Sequence, residues 1–168
     1  MTARFANRVG LPMKLLVAIV LLLVLPLDAI AGIRTATPAQ IEKAIHQHVA
    51  KLRATEYRDA RTVKAESGIV VAIYTVEGAC AGLSLRAKPG TCSNNWVRYM
   101  VALSGHRVTP PVVVGGNGGF SDAGVKISDG LIEISGRSAG PNDAVCCPSV
   151  PETKRFKISA SGLSEVRP

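Results

Sequence analysis

The sequence predicts an α+β domain: one N-terminal amphipathic helix packed on an antiparallel sheet of about six short strands, arranged as a meander and stapled by disulfides. Three observations predict it. A single stretch, residues 38–52, repeats its apolar residues at helical spacing. Everything after it is short β-branched runs cut by glycine and proline turns. Four cysteines stand in a chain that opens like an exported protein, where thiols oxidise to cross-links.

The helix begins at Thr37-Pro38-Ala39-Gln40. Thr37 can cap, Pro38 suits the first turn because its missing N–H is not needed there, and Gln40 would complete a capping box. Ile41, Ala44, Ile45, His48, Val49 and Leu52 form the apolar stripe, with Lys43, Gln47 and Lys51 on the other side. Residues 69–76 are almost continuous Ile, Val, Ala and Tyr, which suits a central strand, and residues 96–103 form a second run. Cys80 and Cys92 stand at the two ends of the connection between them. Residues 108–114 are a third strand, bent or at an edge because Pro110 and Pro111 cannot donate to a ladder. A turn at residues 115–119 follows, then a hairpin of residues 125–128 and 131–135 around Asp129-Gly130, the strongest short turn signal in the chain. Residues 155–159 and 163–166 close the sequence as another pair around Ala160-Ser161-Gly162.

Residues 1–31 read as a cleaved secretory signal: Arg4, Arg8 and Lys14 lead an apolar run at 15–27, and Ala29-Ile30-Ala31 offers a small-residue site for cleavage between Ala31 and Gly32. The run falls short of the roughly 20 apolar residues a spanning helix needs, so residues 32–168 are expected as one domain with no stable membrane span, in the periplasm or outside the cell. Loss of the leader removes three of the twenty basic and one of the twelve acidic residues, leaving a basic domain. Nucleic acid is an unsuitable partner after export; anionic lipid, polymer or an acidic protein face suits the charge, although scattered charges also simply keep a surface solvated.

Cys146 and Cys147 are adjacent in Asp143-Ala144-Val145-Cys146-Cys147-Pro148-Ser149. Four cysteines allow three pairings. Cys80 with Cys92 would close a short loop, worth about 3 kcal/mol in the entropic picture, and leaves Cys146 with Cys147 as a vicinal ring. The alternative pairs each of the adjacent thiols with one of the earlier cysteines. A Cys-x-x-Cys redox motif is missing, and adjacent residues chelate zinc poorly. His46 and His48 are two apart, which on a helix separates them, so His48 is expected to pack and His46 to be wet; His106 falls in a turn. Gly136-Arg137-Ser138-Ala139-Gly140 matches a nucleophile elbow by letter, but Pro141-Asn142-Asp143 continues as loop where an elbow needs a helix. Asn117 with Asp122, and Asn142 with Asp143, are too few oxygen ligands for a calcium cage and are better read as turn formers. No cofactor, metal site or catalytic residue is expected.

The stretch from Asn142 and Asp143 through Cys146, Cys147, Pro148 and Ser149 resembles an Asp…Cys-Cys-Pro-Ser motif of small exported bacterial proteins, including mycobacterial lipoproteins of the LppP/LprE type. The resemblance extends to residues 131–137 and 155–159 and, more loosely, to 72–78 and 112–116. It implies a non-enzymatic envelope protein. The lipid-attachment cysteine of those lipoproteins has no counterpart here, so anchoring is not implied. The expected function is therefore an exported binding or envelope-accessory protein. Its rivals are a thiol- or metal-dependent enzyme centred on Cys146-Cys147 and a binder of anionic envelope polymer or lipid.

Overall fold

The computed structural model describes residues 37–78 and 96–166; the expected leader with Ala31 and Gly32, and both Cys80 and Cys92, lie outside the described residues. Helix α1 (Ala39–Leu52) precedes nine strands: β1 (Thr55–Glu66), β2 (Ile69–Glu77), β3 (Trp96–Ser104), β4 (Arg107–Val108), β5 (Val112–Gly116), β6 (Ser121–Ser128), β7 (Leu131–Ser138), β8 (Val150–Ser159) and β9 (Gly162–Val166). Among the described residues, one helix with antiparallel sheets is the α+β layout expected. The single sheet of about six strands is corrected: the described strands form two sheets, a five-stranded one ordered β1-β2-β3-β4 with β5 also on β3, and a four-stranded meander β6-β7-β8-β9.

Burial explains the second sheet. Strands β2 and β3 are apolar on both faces, so each face needs a cover. Ala72, Tyr74, Val76, Val101 and Leu103 pack under Ile41 and Ile45 of α1. Ile69, Val71, Ile73, Met100 and Ala102 face the other way, against Ile127, Ile132, Ile134 and Phe156 of the second sheet. The later strands alternate apolar and polar residues, and such strands hide one face only, so they stack on the first sheet as a sandwich rather than extending it. Along β2 the two faces simply alternate, which a continuous apolar run conceals.

Two-residue turns close four of the described hairpins, and in two of them both turn residues are left-handed. Asp129 and Gly130 both take positive φ, 50° and 76°, as expected of a type I′ turn. Ser67 and Gly68, at 52° and 75°, repeat that geometry between β1 and β2. The prolines act as anticipated, and the chain compensates for them. Between β4 and β5 the ladder to β3 is interrupted at Pro110 and Pro111, and the buried Thr109 fills in: its N–H donates to the Ala102 carbonyl at 2.8 Å, and its Oγ1 accepts from the Ala102 N–H at 2.9 Å. The expected capping box does not form. Pro38 occupies the cap position with no side-chain bond, and Thr37 Oγ1 instead accepts from Arg61 Nη1 at 3.3 Å. Leu52, placed on the apolar stripe, is 41% exposed, because Arg53 turns left-handed and ends the helix there.

Of the two expected disulfides only Cys146–Cys147 falls among the described residues, and it is no staple between elements. Cys146 and Cys147 are bonded to each other, with Cα atoms 3.8 Å apart, and sequence neighbours inside one loop join no two elements. No described helix is long and apolar enough to cross a membrane.

Candidate functional site

Strand direction gathers the irregular segments at one end of the sandwich. Strand β2 ends there at Glu77, β3 begins there at Trp96, the 115–119 turn leads there from β5 to β6, and the loop of residues 139–149 joins β7 to β8 there. The other end carries the tight turns. Loops at one end of a rigid sandwich are the usual place for recognition.

At that end the core changes from apolar to polar. Tyr57, Thr75 and Arg98 are successive cross-strand partners on β1, β2 and β3, in line with Ile73 and Met100 on the face toward the second sheet. Arg98 has a side chain only 13% exposed and meets Asp122 of β6, 7% exposed: Nη2 donates to Asp122 Oδ2 at 2.8 Å, and Nε lies against Oδ1. Arg98 Nη1 donates to Thr75 Oγ1 at 2.8 Å and to the Ala60 carbonyl at 3.3 Å. This guanidinium–carboxylate pair, one hydrogen bond with Nε beside the second oxygen, sets the two charges against each other. It bridges the two sheets.

One residue further on, Glu77 is fully buried opposite Trp96, and Tyr57 Oη donates to its Oε2. That bond is the main cause of a raised Tyr57 pKa, because losing the phenolic proton beside a carboxylate is unfavourable. Glu77 Oε1 has no hydrogen-bond partner among the described residues. Beside these groups lies a cleft of ≈ 360 Å³ lined by Tyr57, Asp59, Ala60, Thr75, Trp96, Arg98, Ser121 and Asp122. A hollow of ≈ 280 Å³ continues it past Arg98 and Asp122 to Gly124.

Irregularities in both sheets open the cleft. In β1, residues 58–61 stand against Tyr74 alone, and β6 slips register between Asp122 and Gly124. The β1 bulge is held from behind by Arg61, whose side chain is 8% exposed. Its Nε and Nη2 donate to the two Glu56 oxygens at 2.7 and 2.8 Å, and Nη1 donates to Glu42 of α1. The bond from Arg61 holds the Glu42 carboxyl below its ordinary pKa.

The Cys-Cys loop borders the same end. Asp143 closes it: Oδ2 accepts from the Gly140 and Ser149 N–H groups, both at 2.7 Å, and Oδ1 accepts from Ser149 Oγ at 2.9 Å. The Gly140 N–H, followed by the two Ser149 donors, lowers the Asp143 pKa. The first and last residues of the Asp…Cys-Cys-Pro-Ser motif thus form the clasp. Cys147 N–H turns back to the Ala144 carbonyl at 2.9 Å, and both cysteines are exposed at the tip beside Val145. Asn142 is exposed and Pro148 half-buried. The glycine turn is close by, since a side chain at Gly118 would meet Val145 Cγ1 at 3.4 Å.

Compared with known proteins, the chain matches no family model, no curated protein and no solved structure. Its own geometry is therefore the guide to function.

The structure separates the other candidates. Ser138 donates to Glu152 and is followed by loop, not by a helix. His48 is half-buried, with Nδ1 2.7 Å from Tyr74 Oη and its ring edge-on to Tyr99, whereas His46 and His106 are exposed. Among the described residues no group of three His, Cys, Asp or Glu side chains could hold a metal. The cleft itself was not singled out from sequence. The available signal was a lone charge inside or at the end of an apolar strand, Arg98 in β3 and Glu77 closing β2, since a charge is buried only where something pairs with it.

Proposed function

We propose that this chain is an exported, non-enzymatic binding module that receives a saccharide unit of the cell envelope in the Tyr57–Trp96 cleft. One observation carries the reading: two aromatic side chains border a floor whose charges, Arg98 and Asp122, are already spent on each other. Such a floor offers N–H donors and carboxylate acceptors, and Asp59 at its rim adds a carboxylate that repels anions, which suits an uncharged ligand rich in hydroxyls. Aromatic rings complement the apolar C–H faces of that same ligand. Catalysis by the pair would need one of the charges left free to take or give a proton.

In this reading residues 1–31 direct export, the domain works in the periplasm or outside the cell, and Cys80 pairs with Cys92. Cys146 and Cys147 brace their loop rather than react. A thiol catalyst needs a cation or a base at its sulfur, whereas the side-chain hydrogen bonds described for the loop converge on the Asp143 carboxylate.

Trp96 is the single tryptophan of the chain, so its fluorescence reports the cleft directly. Titration of the mature protein with a β-1,4-linked N-acetylglucosamine trimer to about 10 mM, above a millimolar Kd, should shift Trp96 emission saturably. Calorimetry should show the heat of binding lost in Tyr57→Ala. Unchanged emission together with no heat from any neutral oligosaccharide would overturn the proposal.

A further inference from the structure

A second groove lies on the opposite face of the first sheet, between α1 and the segment linking β4 to β5. It encloses ≈ 540 Å³, within the range of small-molecule sites. Its long walls are unlike in chemistry. Lys43 and Lys51 stand two helical turns apart on α1, while Val108, Pro110 and Pro111 make the facing wall aliphatic. No acidic side chain lines it.

His48 sits on the floor between the lysines. The Tyr74 hydroxyl lies 2.7 Å from Nδ1; in the tautomer with the ring proton on Nε2 it donates to Nδ1 and Nε2 is a further donor. The charged and titratable groups around His48 are Lys43 and Lys51 on its own helix, Tyr74 on β2 and Tyr99 on β3; residues 108–111 contribute none. The groove is positive along its helix side, with an aliphatic strip facing it.

We propose that this groove binds a monomeric long-chain carboxylate, its headgroup between Lys43, Lys51 and His48 and its chain along Val108, Pro110 and Pro111. Charge complementarity selects the anion, and the aliphatic wall selects an attached chain over a small ion. A free amphiphile fits better than a bilayer surface. The large exposed apolar residues that could insert into a membrane, among them Leu52, Val113 and Val145, do not line the groove. The proposal is independent of the saccharide cleft.

The ordinary state of the floor supplies the readout. Burial, followed by the Lys51 charge, depresses the His48 pKa, and the charge of a carboxylate seated between the lysines favours the protonated ring. In the isotope-labelled mature protein, dodecanoate below its micelle concentration should bind saturably and move the His48 imidazole titration to higher pH, with Trp96 emission unchanged. Lys43→Gln/Lys51→Gln should weaken binding at least tenfold with the same melting temperature, and acetate or neutral 1-dodecanol should bind at least tenfold more weakly than dodecanoate. Equal affinity for the neutral alcohol or for acetate, undiminished binding in the double variant, or a response at Trp96 in place of His48 would each overturn the assignment. So would binding to phosphatidylglycerol vesicles without binding of the monomer.

Discussion

Gly136→Ala tests the sandwich and its register at the cleft in one substitution. Gly136 pairs with Asp122 on β6 and with Glu152 on β8. A Cβ at this position would overlap the Ser121 carbonyl oxygen and come within 2.5 and 2.9 Å of the Phe120 ring, where real Cβ atoms essentially never approach within 3.0 Å. Phe120 is 4% exposed and its ring lies beneath Lys154 Nζ, 4.8 Å from the centroid, so it has little room to move. The carbonyl belongs to a strand pair and cannot swing aside as a side chain would. Overpacking ordinarily costs about 1–3 kcal/mol, and a backbone obstacle puts this case at the top of that range. Displacing β6 locally adds about 1 kcal/mol for a weakened ladder bond. A loss of about 3–4 kcal/mol corresponds to a fall of about 10–15 °C in Tm for a domain of this size. Thermal melting followed by circular dichroism, with urea unfolding, measures it. Gly119→Ala is the control, because its new Cβ would meet only the Gly116 carbonyl at 3.6 Å and its φ is not positive; it should melt within about 2 °C of the parent. If Gly136→Ala melts with that control, β6 and Phe120 do not pack on β7 as described.

Three more perturbations follow from the fold and the loop. Thr109→Val removes the acceptor for the buried Ala102 N–H and should cost about 1–3 kcal/mol in urea unfolding, with faster hydrogen exchange at the Ala102 amide. The Asp143 carboxyl, depressed when folded, contributes to loop closure above its ordinary range and stops contributing as pH falls through the folded value. The amide shifts of Gly140 and Ser149 should therefore titrate together with a midpoint below 3.8, and a midpoint at or above it would rule out the clasp. Replacing both Cys146 and Cys147 by Ser should change Tm by less than about 2 °C, since a link between sequence neighbours restricts almost no unfolded chain; a large drop would mean that the ring holds more than its own loop.

The sequence made some elements legible because a single local rule governs them. Helical periodicity placed α1, an unbroken apolar run placed β2, and Asp129-Gly130 placed the β6–β7 hairpin. Strand β1 went unseen because it is an edge: Glu56, Arg58, Asp59, Arg61, Lys64 and Glu66 leave no apolar periodicity, and its ladder to β2 is made of backbone. The helix cap was misassigned because Thr37 had a distant competitor, Arg61, twenty-four residues away in the chain. Two sheets read like one because alternation identifies a buried face but not what covers it. The cleft had the same difficulty. Arg98 and Asp122 are twenty-four positions apart, and only the stacking of two sheets makes them a pair.

The two ends of the sandwich differ in how they tolerate change. At one end Ser67-Gly68 and Asp129-Gly130 set the register of their hairpins, and one inserted residue there would invert every side chain of the following strand. At the other end the 139–149 loop is closed by its own clasp, and for flexible loops each doubling of length costs only about 0.6 kcal/mol. The domain is thus a natural display scaffold with one rigid pole and one writable pole. Foreign sequence grafted between Asp143 and Ser149 keeps the clasp that closes the loop, and new binding specificities can be selected there without redesigning the strands beneath.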